Sequence, residues 1–253
     1  LIALEGLSRI YANGRGVSDI DLELGPGIHG LIGPNGAGKT TIIKLLMGLL
    51  VPDAGRVLFD GRDIAREGDG FSWRRDIGYF PAEDYFFEYL SGRQNLEYLG
   101  LLKCGDKKAY VSVARILAQF GIEEYWDEPF AAYSSGMKKK IELAGSLIGE
   151  PSILVWDEPT NGVDIMGNLL IRDFLEGCRA AGRVVLLSSH VIEFLDGLID
   201  TLTVIDEGRL RLHASPPPLD LKGAFLEALG RGGESPGSLK PATPPASPPV
   251  FGG

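Results

Sequence analysis

The sequence predicts an α/β fold on a parallel sheet, interrupted by a helical insert. Three observations carry this. An apolar run at Ile28–Ile32 enters a glycine-rich loop and then a helical pattern. Two more apolar, β-branched runs, Ile153–Trp156 and Val184–Leu187, have the composition of strands buried on both faces, and a helical pattern from about Ile165 to Ala180 lies between them. From Asp84 to Gly149 the apolar spacing becomes helical.

Taken in order, Ile2–Leu7, Val17–Leu24 and Ile28–Ile32 read as strands separated by Asn13-Gly14 and Gly25-Pro26-Gly27. A helix is expected from about Lys39 to Leu50, ended by Pro52-Asp53, and short strands at Arg56–Asp60 and Ile77–Phe80. Within the insert, Gln94–Leu102 and Lys107–Phe120 carry helical spacing, and another helix starts near Ser135. Thr201–Ile205 and Arg209–Leu212 form a hairpin around Glu207-Gly208. Beyond Ser215 lie nine of the sixteen prolines, with only Leu219–Leu229 helical, so the segment after Gly230 is expected to be disordered.

Acidic residues outnumber basic ones 34 to 25, for a net charge of −9. A chain whose main partner is DNA or RNA leans the other way, and no nucleic-acid partner is expected. Cys104 and Cys178 lie far apart and outside any Cys-x-x-Cys pair, which points away from a metal or disulfide framework and towards a reducing cytoplasm. No apolar run approaches the roughly 18–20 residues that span a bilayer, and no signal-peptide pattern opens the chain. A membrane connection is therefore expected through a partner.

Gly33-Pro34-Asn35-Gly36-Ala37-Gly38-Lys39-Thr40 matches G-x-x-x-x-G-K-[ST] without a mismatch. Glycines let backbone N–H groups turn inward around phosphates, Lys39 brings a charge to the β- and γ-phosphates, and Thr40 brings a hydroxyl to Mg²⁺. The helix that follows favours the anion through its N-terminus. Ile153–Glu158 is an apolar strand ending in two carboxylates. Asp157 is placed to hold Mg²⁺, and Glu158 to act as general base towards the attacking water. His190 follows an apolar strand and should emerge at the carboxyl end of the sheet, where ligands bind. His29 and His213 have no such setting and read as structural.

Tyr133-Ser134-Ser135-Gly136-Met137-Lys138, ahead of the acidic strand, resembles the signature motif of ATP-binding cassette (ABC) ATPases in its Ser-x-Gly-Met-Lys form. Pro159–Asp164 is similar to that family's D-loop, Ser188-Ser189-His190 to its switch histidine, and Tyr11 stands where the family stacks an aromatic on adenine. The resemblance covers roughly residues 1 to 213. It implies a P-loop NTPase fold: an ABC-type core with an antiparallel β subdomain at 1–83 and 151–213, a helical subdomain at 84–150 and a tail at 214–253.

The resemblance also implies ATP and Mg²⁺ at a site shared by two cassettes. Tyr11, Gly33, Asn35, Gly36, Gly38, Lys39, Thr40 and Thr41 would contact the nucleotide from one subunit and Ser134 and Gly136 from the other, with Asp164 of the D-loop also in the nucleotide-binding set. Glu158, His190 and Lys39 would be catalytic, and Thr40 and Asp157 metal-binding. Lys138-Lys139-Lys140 reads as a solvated helix face. The family usually places Gln after the strand Ile77–Phe80 and Pro81, but here that position is Ala82, whose methyl cannot ligate a metal. Either Glu83 takes the role or the element is impaired.

The implied function is the ATPase subunit, paired as a homodimer, of a transporter with a separate transmembrane permease. Such a chain is cytoplasmic and peripheral on the inner face of the membrane. The signature variant and the segment from Gly78 to Leu96 resemble ABC-2 or drug-resistance exporters. The stretch Tyr85–Tyr89 is expected near the permease groove, with Phe86, Phe87 and Tyr89 either exposed or simply core. A soluble non-transport ABC ATPase and an ATP-holding regulatory module with low turnover are the rival readings.

Overall fold

The computed structural model describes residues 1–65 and 72–230. Its elements are β1 (Ile2–Ile10), β2 (Gly16–Leu24), β3 (Gly27–Ile32), α1 (Lys39–Leu46), β4 (Ala54–Phe59), β5 (Arg62–Asp63) and β6 (Ile77–Phe80). There follow α2 (Gly92–Cys104), α3 (Ala114–Gln119), α4 (Ser135–Ser146), β7 (Ile153–Asp157), α5 (Ile165–Ala180), β8 (Val184–Ser189), α6 (Ile192–Leu195), β9 (Thr201–Asp206), β10 (Arg209–Ala214) and α7 (Leu221–Ala228).

Two sheets form. The first, ordered β2-β1-β4-β5, is antiparallel throughout. The second, ordered β10-β9-β3-β8-β7-β6, is parallel from β9 to β6, and only β10 returns antiparallel. The β9–β10 turn uses Glu207 at φ 47° and Gly208 at φ 73°, the left-handed pair that a tight hairpin needs. Side chains alternate across the parallel strands into two cores. Ile28, Ile32, Leu154, Trp156, Val185 and Leu187 face α4, α5 and the helical segment. Leu31, Val155, Leu186 and Ile205 face α1 and the antiparallel sheet. Burial on both faces explains why these strands are unbroken apolar runs.

Helix α1 is shorter than expected. It stops at Leu46 because Gly48 takes φ 59° and donates back to the Leu45 carbonyl, a glycine stop that comes before Pro52 can act. Ile42, Ile43, Leu45 and Leu46 are all buried between the sheets, each contributing on the order of 2 kcal/mol. The expected single helix at 107–120 is a 3₁₀ stretch at Lys107–Val113 followed by α3. Here Ser112 Oγ bonds the Ala109 carbonyl at 2.7 Å, and β-branched Val111 and Val113 weaken the regular helix.

The helical segment lies in the crossover between β6 and β7. Ser91 opens α2 with a full capping box, its hydroxyl accepting from Gln94 N while the Gln94 side chain accepts from Ser91 N. Asp220 caps α7, whose Leu221, Ala224 and Phe225 pack on the core beneath the parallel sheet. The expected disorder after Gly230 lies outside the described residues. Among the described residues no helix is long and apolar enough to cross a membrane.

Candidate functional site

Strands β3, β8 and β7 are neighbours, and register puts Ile32 beside Ser189 and Ser188 beside Asp157. Their carboxyl ends therefore deliver the Gly33–Thr40 loop, His190 and the Asp157-Glu158 pair to one edge. A cavity of about 370 Å³ opens there, walled by the Pro34–Thr41 loop, Glu158 and the turn carrying Tyr11, Asn13, Arg15 and Gly16.

The loop tolerates no side chain at two of its glycines. A Cβ on Gly33 would sit 2.2 Å from the Ile205 carbonyl oxygen, and Gly38 has φ 112° with Val17 Cγ1 2.5 Å from a would-be Cβ. The β9–β10 turn braces the loop from behind, with Gly208 N donating to the Ala37 carbonyl at 2.9 Å. Lys39 is buried and donates to the Gly33 carbonyl at 2.7 Å, while its Nζ lies 3.6 Å from Glu158 Oε1. A buried ammonium beside a ring of glycine backbone is a cradle for polyanionic phosphate.

Asp157 is wholly buried. Thr40 Oγ1 donates to its Oδ2 at 2.8 Å, and Ser188 Oγ donates to its Oδ1. The same Ser188 oxygen accepts from Glu158 N at 3.0 Å. This hydroxyl and carboxylate set is a hard-oxygen group that fits Mg²⁺. Glu158 adopts φ 54°, a left-handed conformation costing a non-glycine residue about 1 kcal/mol, and Ser188 helps to hold it there. His190 Nδ1 meets Glu158 Oε2 at 2.7 Å. Because the carboxylate accepts, that nitrogen is the N–H, and the ring fixes the orientation of the Glu158 carboxylate.

Among the expected residues, Tyr11, Asn35, Gly36, Gly38, Lys39, Thr40, Thr41 and Glu158 line this cavity. Gly33 shares a smaller cavity of about 240 Å³ with His190, Ser189 and Phe225. Tyr11 is carried on a tight turn, its N–H on the Arg15 carbonyl, with its hydroxyl 3.5 Å from Thr41 Oγ1.

Ser134, Gly136 and Asp164 sit elsewhere. Ser134 is exposed and caps α4 by accepting from Met137 N at 3.3 Å. A Cβ on Gly136 would press the Gly162 carbonyl at 3.1 Å, so the signature turn and the 159–164 loop pack backbone to backbone. Asp164 caps α5 through Gly167 N at 2.6 Å and pairs with Lys140 at 2.8 Å.

The lysine run requires correction, for it is not a solvated face. Lys138 pairs with Asp84 and Glu88, Lys139 with Asp84 and Glu142, and Lys140 with Asp164, leaving each side chain only 12–15% exposed. Opposite charges from the 84–88 loop and from α5 draw them in. Ala82 is held by its backbone, its carbonyl accepting from Lys139 Nζ at 2.9 Å. The aromatics near it divide: Phe86 is core, 7% exposed, whereas Phe87 and Tyr89 are exposed, Tyr89 to 78%.

Sequence reasoning overlooked Ser188 as the link between the two acidic residues; its place at a strand end next to His190 was the available signal. It also overlooked Asn13, which read only as part of a turn, and Arg15, both of which line the larger cavity. His29 is structural as expected, its ring bonded to Thr201 and the Gly25 carbonyl, with burial holding its pKa below the usual histidine range.

Comparison with known proteins agrees with this geometry. A family profile described as ABC transporter matches residues 17–161. The daunorubicin resistance ATP-binding protein DrrA3 of Streptomyces coeruleorubidus is 37% identical over 211 residues, covering 83% of this chain and 66% of its own length. This chain thus spans just under two thirds of that relative. A solved ATP-binding subunit of an ABC transporter superimposes with a TM-score of 0.78 at 24% identity, over 93% of this chain and 95% of that one. The ATP-binding cassette MJ0796, in a dimeric post-hydrolysis state bound to ADP and Pi, does so with a TM-score of 0.77 at 18% identity, over 86% of this chain and all of that one, a likeness of fold. The chain belongs to the ABC transporter family, whose profile matches more than half of it.

Proposed function

We propose that this chain binds and hydrolyses ATP to power the separate membrane-spanning subunits of an exporter, through closure of two cassettes. The observation that carries this is the arrangement of the two half-sites. Phosphate loop, Asp157, Glu158 and His190 converge on one edge, while Ser134 and Gly136 present a capped helix start that does not line that cavity. A second copy, head to tail, would complete each site.

In this reading Lys39 and the loop N–H groups hold the β- and γ-phosphates, and Tyr11 stacks on the adenine. Mg²⁺, held by Thr40 and Asp157, would neutralise charge on the transferred phosphoryl group. Glu158, oriented by His190, accepts the proton as water oxygen bonds to the γ-phosphorus and the bond to the β–γ bridging oxygen breaks. Export as the direction, and a position at the inner membrane face, rest on the likeness to a drug-resistance ATP-binding protein. The permease would dock by the exposed Phe87 and Tyr89, and the same helical segment contributes Tyr85, Leu99, Leu102 and Lys103 to a groove of about 330 Å³.

The test is Glu158→Gln, which keeps the shape and removes the base. ATP binding should persist while turnover falls by about a hundredfold or more. Turnover at the parent rate would remove Glu158 from the reaction. Co-purification with a multi-span membrane protein would test the transport assignment.

A further inference from the structure

Helix α4 grips the loop after β6 at several points. Lys139 Nζ donates to the Ala82 carbonyl at 2.9 Å, lies 3.0 Å from Asp84 Oδ1, and sits over the Phe80 ring at 5.3 Å. One turn on, the Glu142 carboxylate is fully buried, and its Oε1 accepts from Tyr85 N at 2.7 Å and Phe86 N at 3.2 Å. Tyr85 donates its hydroxyl back to the Glu142 carbonyl at 2.6 Å. The other carboxylate oxygen has no hydrogen-bond partner and lies 3.9 Å from Lys139 Nζ.

An apolar side chain would fill the Glu142 position at lower cost, since a buried carboxylate loses its hydration and is repaid only by good partners. What the acid adds is directional hold on two consecutive backbone N–H groups. These belong to the loop that leads from Ala82 to the exposed aromatics Phe87 and Tyr89. Ala82 is exposed and its methyl cannot hydrogen-bond, whereas its carbonyl is tied to α4 through Lys139, so backbone and α4 provide the link from this loop to the nucleotide machinery. That helix begins at Ser135, directly after Ser134.

We infer that Lys139 and Glu142 are positioning residues for hydrolysis, locking the Ala82–Phe86 loop to the signature helix so that the loop and the Ser134–Gly136 end move as one body. The inference rests on the reading that Ser134 and Gly136 act on nucleotide held by a second cassette. It deepens that reading by giving the loop a route to the site that does not need a side chain at position 82. The charged groups facing Glu142 are Lys139 and Asp84, with the Tyr85 hydroxyl on its backbone; burial raises its pKa to about 7, so the grip also depends on pH. With Glu142 ionised, Lys139 is attracted to both carboxylates. Protonation leaves it only Asp84.

The experiment uses the full chain, with steady-state ATP turnover, equilibrium binding of a fluorescent ATP analogue, and a thermal melt to certify folding. Lys139→Met should lower kcat about tenfold while KM and analogue binding stay within about twofold, because positioning is lost but the phosphate site is intact. Lys139→Arg should restore most of kcat. The Lys139→Met/Glu142→Gln double variant should be no slower than the slower single, as expected of two residues in one unit. Glu142→Gln should remove the part of the acid limb of the kcat profile that lies near pH 7. A folded Lys139→Met with parental kcat overturns the inference, and so does loss of kcat and analogue binding in proportion. If Lys139→Met fails to fold, Glu142→Gln decides: a kcat profile superimposable on the parent's overturns it. A parental rate in Glu158→Gln would instead overturn the site reading on which this rests.

Discussion

Exchanging Glu142 for Gln removes a buried charge while keeping the shape and the oxygen that accepts from Tyr85 and Phe86. Burial is the largest influence on this carboxyl and raises it from the ordinary 4.5 to about 7; the two backbone N–H bonds and Lys139 pull the other way, and Asp84 adds to the rise. The sign follows from linkage. The native state holds this proton more tightly than the unfolded chain, so the contribution is fully present below the unfolded value and is lost as pH rises towards 7. A rise from 4.5 to about 7 corresponds to about 3 kcal/mol. The parent should therefore lose roughly 2 to 3 kcal/mol relative to Glu142→Gln between about pH 5 and about pH 8. Any cost of burying the new amide is independent of pH and cancels in the comparison. Urea denaturation of both proteins across this range, with equal slopes as the control, measures the difference. Parallel stability curves would refute the reasoning, for they would mean that Glu142 titrates alike in the folded and unfolded chain.

Other consequences are open to direct measurement. Ala82→Gln should raise ATP turnover by about threefold or more, by supplying an amide in place of an exposed methyl that cannot hydrogen-bond; an unchanged rate, with and without a membrane partner, removes Ala82 as the slow element. Gly136→Ala forces a Cβ against the Gly162 carbonyl at 3.1 Å. It should cost turnover about tenfold and stability less than about 1 kcal/mol, so a variant with normal kcat would show that the signature turn has room to spare. Ser146→Ala leaves the buried Trp156 Nε1, now bonded to Ser146 Oγ at 3.1 Å, without an acceptor. Chemical denaturation should register a loss of about 1–3 kcal/mol, and no loss would mean that the indole finds another partner.

The parallel sheet and the phosphate half-site were legible because their signals are local. Gly33, Gly38, Lys39 and Thr40 all lie within one strand–loop–helix unit, and Asp157 and Glu158 stand at the end of an apolar strand. Where expectation failed, competing local detail or distant charge was responsible. Gly48 ended α1 before Pro52, and Ser112 with its β-branched neighbours tightened the 107–113 stretch. Lys138–Lys140 read as solvated because nothing in their own helix announces Asp84, Glu88 and Asp164, which come from other elements.

Reading along the chain marked the glycine-rich loop, the order of the chemical groups, the family resemblance and the departure at Ala82, all matters of residue type at short spacing. It left undecided which carboxylates meet which cations, since side chains far apart in sequence pair only once the sheet order is set. Packing placed Ser188 between Asp157 and Glu158, turned His190 onto Glu158, and kept Ser134 and Gly136 out of the cavity walled by the Pro34–Thr41 loop. It also buried Glu142 against the loop beyond Ala82. Burial and long-range pairing depend on three-dimensional neighbours, and a position's neighbours in sequence do not name them.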